Sequence, residues 1–147
     1  MQKILVLNGP NLNLLGSREP QTYGSDTLDS VLERLQSIAS EQDVSIHHVQ
    51  SNHEGEIIDA IHDASQDDVS ACIINPGALT HSSIGLRDAF LGTELPFVEV
   101  HISNIFARDE FRHHSFLSDI AIGTICGCGT FGYDMALLYL AKKIQST

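Results

Sequence analysis

Positive charge is scarce in this sequence: eight Lys and Arg face nineteen Asp and Glu in 147 residues, a formal net charge of −11. Bulk charge therefore does not hold the chain to nucleic acid or an anionic membrane, and an anionic ligand would need positive charge gathered locally. No apolar run reaches the roughly 18 residues of a membrane span. The opening MQKILVLNGPN has a short apolar stretch closed by Gly and Pro, unlike a signal peptide, so a soluble cytoplasmic protein is expected. Cys72, Cys126 and Cys128 leave one thiol over from any pairing. All three lie in or beside apolar runs, so buried free thiols are expected rather than a disulfide framework. Neither G-x-G-x-x-G nor G-x-x-x-x-G-K-[ST] follows the first apolar run, which removes the usual phosphate-cradling nucleotide loops. His47, His48, His53 and His62 lack metal-ligand spacing, and Cys126-Gly-Cys128 alone is weak support for zinc, so no metal is expected.

With 42% hydrophobic and 18% charged residues the chain is neither disordered nor fibrous, and its length suits one domain. Folding at this size removes roughly 70% of the extended surface from water, enough for a core without staples. Lys3 to Leu7 is an Ile, Leu and Val run broken at NGPN, as in a strand buried on both faces. Leu28, Val31, Leu32, Leu35, Ile38 and Ala39 form a helical stripe with Asp26 or Thr27 as N-cap. Strands are then expected at Val44 to Val49, Val69 to Ile74, Phe97 to Ile102 and Ile120 to Cys126. Helices are expected around Ile57 to Ala64, Leu86 to Phe90 and Leu137 to Ile144. The alternation predicts an α/β three-layer sandwich around a five-stranded parallel sheet, in the flavodoxin-like order 2-1-3-4-5.

Three connections exceed the ordinary two to six residues or carry more chemistry than a turn needs. Asn8 to Gly24 holds Asn11, Arg18 and Tyr23, and its Gly and Pro residues suit a mobile lid. Asn75 to His81 follows strand three, and Ser103 to Ser118, with Arg108 and Arg112, follows strand four. All three leave carboxyl ends of strands that are neighbours in this order, so they crowd the crevice where open α/β sheets bind ligands. Three of the five arginines in an acidic chain sit in these loops, which points to a small anionic ligand. No lysine lies there, so a Schiff-base mechanism has no obvious candidate. Glu99 and His101, two apart on a strand, point to one face, where a carboxylate can hold an imidazole in one tautomer as a general acid. Tyr23 becomes a base only if its pKa falls from near 10; reaching about 7.5 takes roughly 3.4 kcal/mol of preferential anion stabilisation, which nearby arginines can provide.

The segments NGPNLNLLGSREPQTYG, NPGALTHSSIGLRDA, EVHISNIFARDEFRHHS and GTICGCGTFGY together resemble the type II 3-dehydroquinate dehydratases, nearly end to end. The resemblance implies a flavodoxin-like fold, trimers assembling to a dodecamer, and cofactor-free dehydration of 3-dehydroquinate to 3-dehydroshikimate in the shikimate pathway. By motif, Tyr23 matches the base that takes the C2 proton and Arg18 the residue that keeps it ionised. Asn11 matches the group that steadies the enolate through a water. His101 matches the acid that protonates the departing C1 hydroxyl, oriented by Glu99. Asn75 and His81 match substrate-hydroxyl contacts, and Ile102 with Ser103 the backbone segment holding the carboxylate. Arg112 matches a further substrate contact, Arg108 an arginine near the tyrosine, and Asp88 a residue reaching a neighbouring subunit's site. Leu79, Phe106 and Cys128 depart from the family pattern at positions that carry no catalytic role.

Overall fold

The computed structural model describes residues 1–17 and 25–146. Five strands, β1 (Gln2–Asn8), β2 (Val44–Gln50), β3 (Ala71–Asn75), β4 (Phe97–His101) and β5 (Gly123–Cys126), form one sheet in the order β2-β1-β3-β4-β5. Every adjacent pair is parallel. Among the described residues three α-helices link them, α1 (Leu28–Glu41), α2 (Glu54–Gln66) and α3 (Ile84–Thr93), and a fourth, α4 (Phe131–Gln145), follows β5. This is the expected α/β architecture and strand order.

The period of two along each strand divides the core into two layers. Ile4, Val6, Ile73, Val98 and Val100 pack with Val31 and Leu35 of α1 and Leu137 and Leu140 of α4. Leu5, Leu7, Cys72, Ile74 and Phe97 face the other way, against Ile57 and Ile61 of α2 and Leu86 and Phe90 of α3. Strands buried on both faces explain why the sequence shows continuous apolar runs rather than alternation. Thr27 is the N-cap of α1: its hydroxyl accepts from Ser30 N–H, and the Ser30 hydroxyl accepts from Thr27 N–H. Asp26 instead accepts the Thr130 hydroxyl at 2.5 Å, tying the start of α1 to that of α4.

Three sequence expectations need correction. Strand five starts at Gly123, not Ile120, and strand three at Ala71, not Val69. Ile120, Ala121 and Val69 are apolar because they pack on the α2/α3 layer from turns, and periodicity alone does not separate such residues from a strand. The three cysteines are free, but only Cys72 is buried; Cys126 is half-buried and Cys128 exposed. The reason is topological: β5 is an edge strand ending at Cys126, so the Gly127–Cys128 turn lies on the rim.

Candidate active site

The strand order reverses between β1 and β3, and a cavity of about 220 Å³ opens there at the carboxyl ends of the strands. The loop after β1 contributes Pro10 and Asn11, that after β3 Gly77 and Ala78, and that after β4 Ile102, Ser103 and Arg112; Asn75 and His101 are the last residues of β3 and β4. Six of the residues expected from sequence, Asn11, Asn75, His101, Ile102, Ser103 and Arg112, thus line one cavity.

Close contact of two loops builds one wall. A Cβ on Gly9 would collide with the Pro76 backbone, and one on Gly77, where φ is +59°, would sit 3.0 Å from Pro10 O. Gly9 N–H donates to Asn75 O at 2.8 Å. Asn11 holds the left-handed φ of 71°, which asparagine tolerates better than most residues, and its N–H donates to Asn52 Oδ1 at 2.9 Å.

Phe97, Glu99 and His101 share the face of β4 turned toward α3. Burial would by itself push the wholly buried Glu99 carboxyl up. The hydrogen bond and charge of His101, with the hydroxyls of Ser118 and Thr80, overcome this and hold it at about 2. His101 Nε2 lies 2.5 Å from Glu99 Oε2, which also accepts from Thr80 at 2.7 Å and Ser115 at 2.9 Å; Oε1 accepts from Ser118 at 2.6 Å. A carboxylate accepting on all sides makes Nε2 a donor, so Nδ1 is the ring nitrogen left to exchange a proton.

His81 stacks beside His101, ring centroids 6.4 Å apart. Its Nδ1 donates to His114 O at 2.8 Å. Burial, aided by the charges of His101 and Arg112, pushes its pKa below the ordinary histidine value, against the pull of the His114 carbonyl and Glu99. A neutral ring with Nδ1–H engaged presents Nε2 as an acceptor.

Arg108 Nη1 lies 3.4 Å from Ser103 Oγ, and the Arg112 guanidinium stands over the Phe111 ring with Nε 3.4 Å from Asp109. Both arginines belong to the loop after β4. Asp88 is exposed on α3 and does not line the cavity. Arg18 and Tyr23 lie outside the described residues. Sequence reasoning missed the supports: Thr80, Ser115 and Ser118 around Glu99, and Asn8 and Tyr133 behind Asn75. The serines stand in the loop already singled out after strand four, while nothing local marks Tyr133 as polar in function.

No three His, Cys, Asp or Glu side chains among the described residues are grouped to hold a metal ion. No helix among them is long and apolar enough to cross a membrane.

The family model described as "Dehydroquinase class II" matches residues 2–141. This chain belongs to the class II dehydroquinases. It is 58% identical over 144 residues to the "Catabolic 3-dehydroquinase" of Phaeosphaeria nodorum, covering 98% of this chain and 94% of that protein. It is 56% identical over 144 residues to the "3-dehydroquinate dehydratase" of Psychromonas ingrahamii, covering 98% and 96%. The crystal structure of the type II dehydroquinase from Propionibacterium acnes superposes with a TM-score of 0.92 at 45% identity, covering 97% of both chains.

Proposed function

We propose that this chain is a hydro-lyase that dehydrates 3-dehydroquinate to 3-dehydroshikimate without a cofactor. The observation that carries the reading is the 2.5 Å pair of Glu99 and His101 at the edge of a cavity also lined by Asn11, Asn75, Ser103 and Arg112, in a chain of this family.

The substrate is a small anion: the backbone N–H groups of Ile102 and Ser103 receive its carboxylate, and Arg112 is a further substrate contact. Tyr23, kept as its anion by Arg18 and Arg108, removes the proton at C2, beside the ketone. The electron pair passes to the ketone oxygen, where a water held by Asn11 stabilises the enolate. His101 then gives its Nδ1 proton to the C1 hydroxyl, which leaves as water when the enolate collapses. The proton on the tyrosine returns to the imidazole through solvent, restoring both groups. Asn75 and His81 Nε2 bind the remaining hydroxyls, and Asp88 reaches the cavity of a neighbouring subunit, in trimers that assemble to a dodecamer in the cytoplasm.

Purified protein given 3-dehydroquinate is expected to generate a conjugated enone that absorbs in the ultraviolet. A flat trace at high enzyme concentration overturns the reading.

A further inference from the structure

Asn75 ends β3 on the face opposite Glu99, and it is the inner end of a buried polar chain. Its Oδ1 accepts Gly77 N–H at 3.1 Å, and its Nδ2 donates to Tyr133 Oη at 2.9 Å. The Tyr133 hydroxyl donates to Asn8 Oδ1 at 2.5 Å, and Asn8 Nδ2 lies 3.1 Å from His48 Nε2. Register explains the meeting: Asn8 pairs with Asn75, and Asn8, His48 and Asn75 follow the parity of Val6, Ile46 and Ile73, which face α1 and α4. Tyr133, on the first turn of α4, is wholly buried among these apolar residues.

A polar hydroxyl in an apolar layer is costly unless bonded, and a phenylalanine would fill the same volume without that cost. The polarity of the chain shows what the hydroxyl does. Gly77 N–H can only donate, so Asn75 must turn Oδ1 toward it and Nδ2 toward Tyr133. Tyr133 has one proton, already committed to Asn8, so its oxygen is available to Asn75 only as an acceptor. One amide hydrogen of Asn75 is thereby held on Tyr133, which fixes the amide plane and leaves the other as a donor at the cavity wall. Without the hydroxyl, Gly77 alone holds Oδ1, the Nδ2 end loses its acceptor, and the amide plane can rock so that its donor is no longer aimed at the place where a hydroxyl of the substrate binds.

We propose that Tyr133 is a positioning residue of this site, acting through Asn75 by fixing the orientation of its amide. The inference rests on the reading of Asn75 as a substrate contact.

The test is a double-mutant cycle on kcat/KM for 3-dehydroquinate with wild type, Tyr133→Phe, Asn75→Ala and the double variant, each assayed well below its melting temperature. Tyr133→Phe and Asn75→Ala are each expected to lower kcat/KM on the order of ten- to a hundredfold. In the Asn75→Ala background Tyr133→Phe is expected to cost less than about twofold, because the group it positions is gone. Losses that multiply overturn the proposal and make Tyr133 a structural residue only. An Asn75→Ala protein with unchanged kcat/KM overturns the reading of Asn75, and the proposal with it, while leaving the dehydratase reading intact. If Asn75→Ala does not fold, the Asn75 side-chain amide resonances of Tyr133→Phe decide. Doubled or exchange-broadened signals support the proposal, and a single unshifted pair overturns it.

Discussion

His101 Nε2 lies 2.5 Å from Glu99 Oε2, and that carboxylate is surrounded by three hydroxyls, from Thr80, Ser115 and Ser118. The arrangement fixes the ring's orientation and protonation pattern, leaving Nδ1 for the substrate. His101→Ala is expected to lower kcat about 10²- to 10⁴-fold, the usual contribution of a positioned acid. Glu99→Gln, which keeps the volume and removes the charge, should cost less than His101→Ala. Steady-state kinetics that rank them in reverse would remove His101 as the acid.

The same carboxylate makes stability depend on acid. Its folded pKa of about 2 lies below the ordinary 4.5, so its contribution is fully present above pH 4.5 and is lost as pH falls toward 2. The shift corresponds to roughly 3 kcal/mol. Urea unfolding of wild type and Glu99→Gln is expected to give a stability difference that shrinks steadily across that window. A difference independent of pH would mean that the carboxylate is not held as an anion.

His48 acts in the same direction in a higher pH window. Burial, with the neighbouring His47, lowers its pKa below the ordinary 6.5 against the pull of Asp29. Stability is therefore expected to fall as pH drops below 6.5, because the unfolded chain takes the proton first, and to level off below the folded pKa. In Tyr133→Phe the Asn8 amide is free to turn Oδ1 toward a protonated His48, so the imidazole should titrate at higher pH than in wild type. Histidine chemical shifts followed against pH measure this directly.

Tyr23→Phe is expected to abolish turnover while substrate binding and folding persist, since only a hydroxyl is lost. Calorimetric binding of 3-dehydroquinate to the inactive variant checks both parts. Retained turnover would place the base elsewhere.

Gly9→Ala is expected to damage stability and catalysis together. The added Cβ meets the Pro76 backbone, so the loops after β1 and β3 must separate, at a cost on the order of 1–3 kcal/mol. Thermal melting should show the loss, and kcat/KM should fall because Asn11 and Gly77 shift apart. An unaltered melting temperature would mean the two loops tolerate a wider gap.

The order of elements, the parallel sheet and the rim that carries the site follow from local pattern. Apolar runs such as Lys3 to Leu7, helical stripes such as Leu28 to Ala39, and a cap at Asp26 or Thr27 are properties of neighbouring residues, so sequence reads them directly, while the structure chooses Thr27. The Glu99 and His101 pair is legible for the same reason, because residues two apart on a strand share a face. Strand limits at Ala71 and Gly123 were not, since Val69 and Ile120 are half-buried in connecting segments that only the fold brings against the core.

What the sequence determined alone is therefore the chemistry available and the end of the sheet where it gathers. Only tertiary structure decided how that chemistry is aimed. Thr80, Ser115 and Ser118 lie 16 to 19 residues from Glu99, and Tyr133 lies 58 from Asn75 and 125 from Asn8. Hydrogen bonds act over about 3 Å, and no local period encodes partners so far apart along the chain. Packing α4 onto the sheet brings Tyr133 within reach of two asparagines, where its hydroxyl accepts from the Asn75 amide and donates its single proton to Asn8.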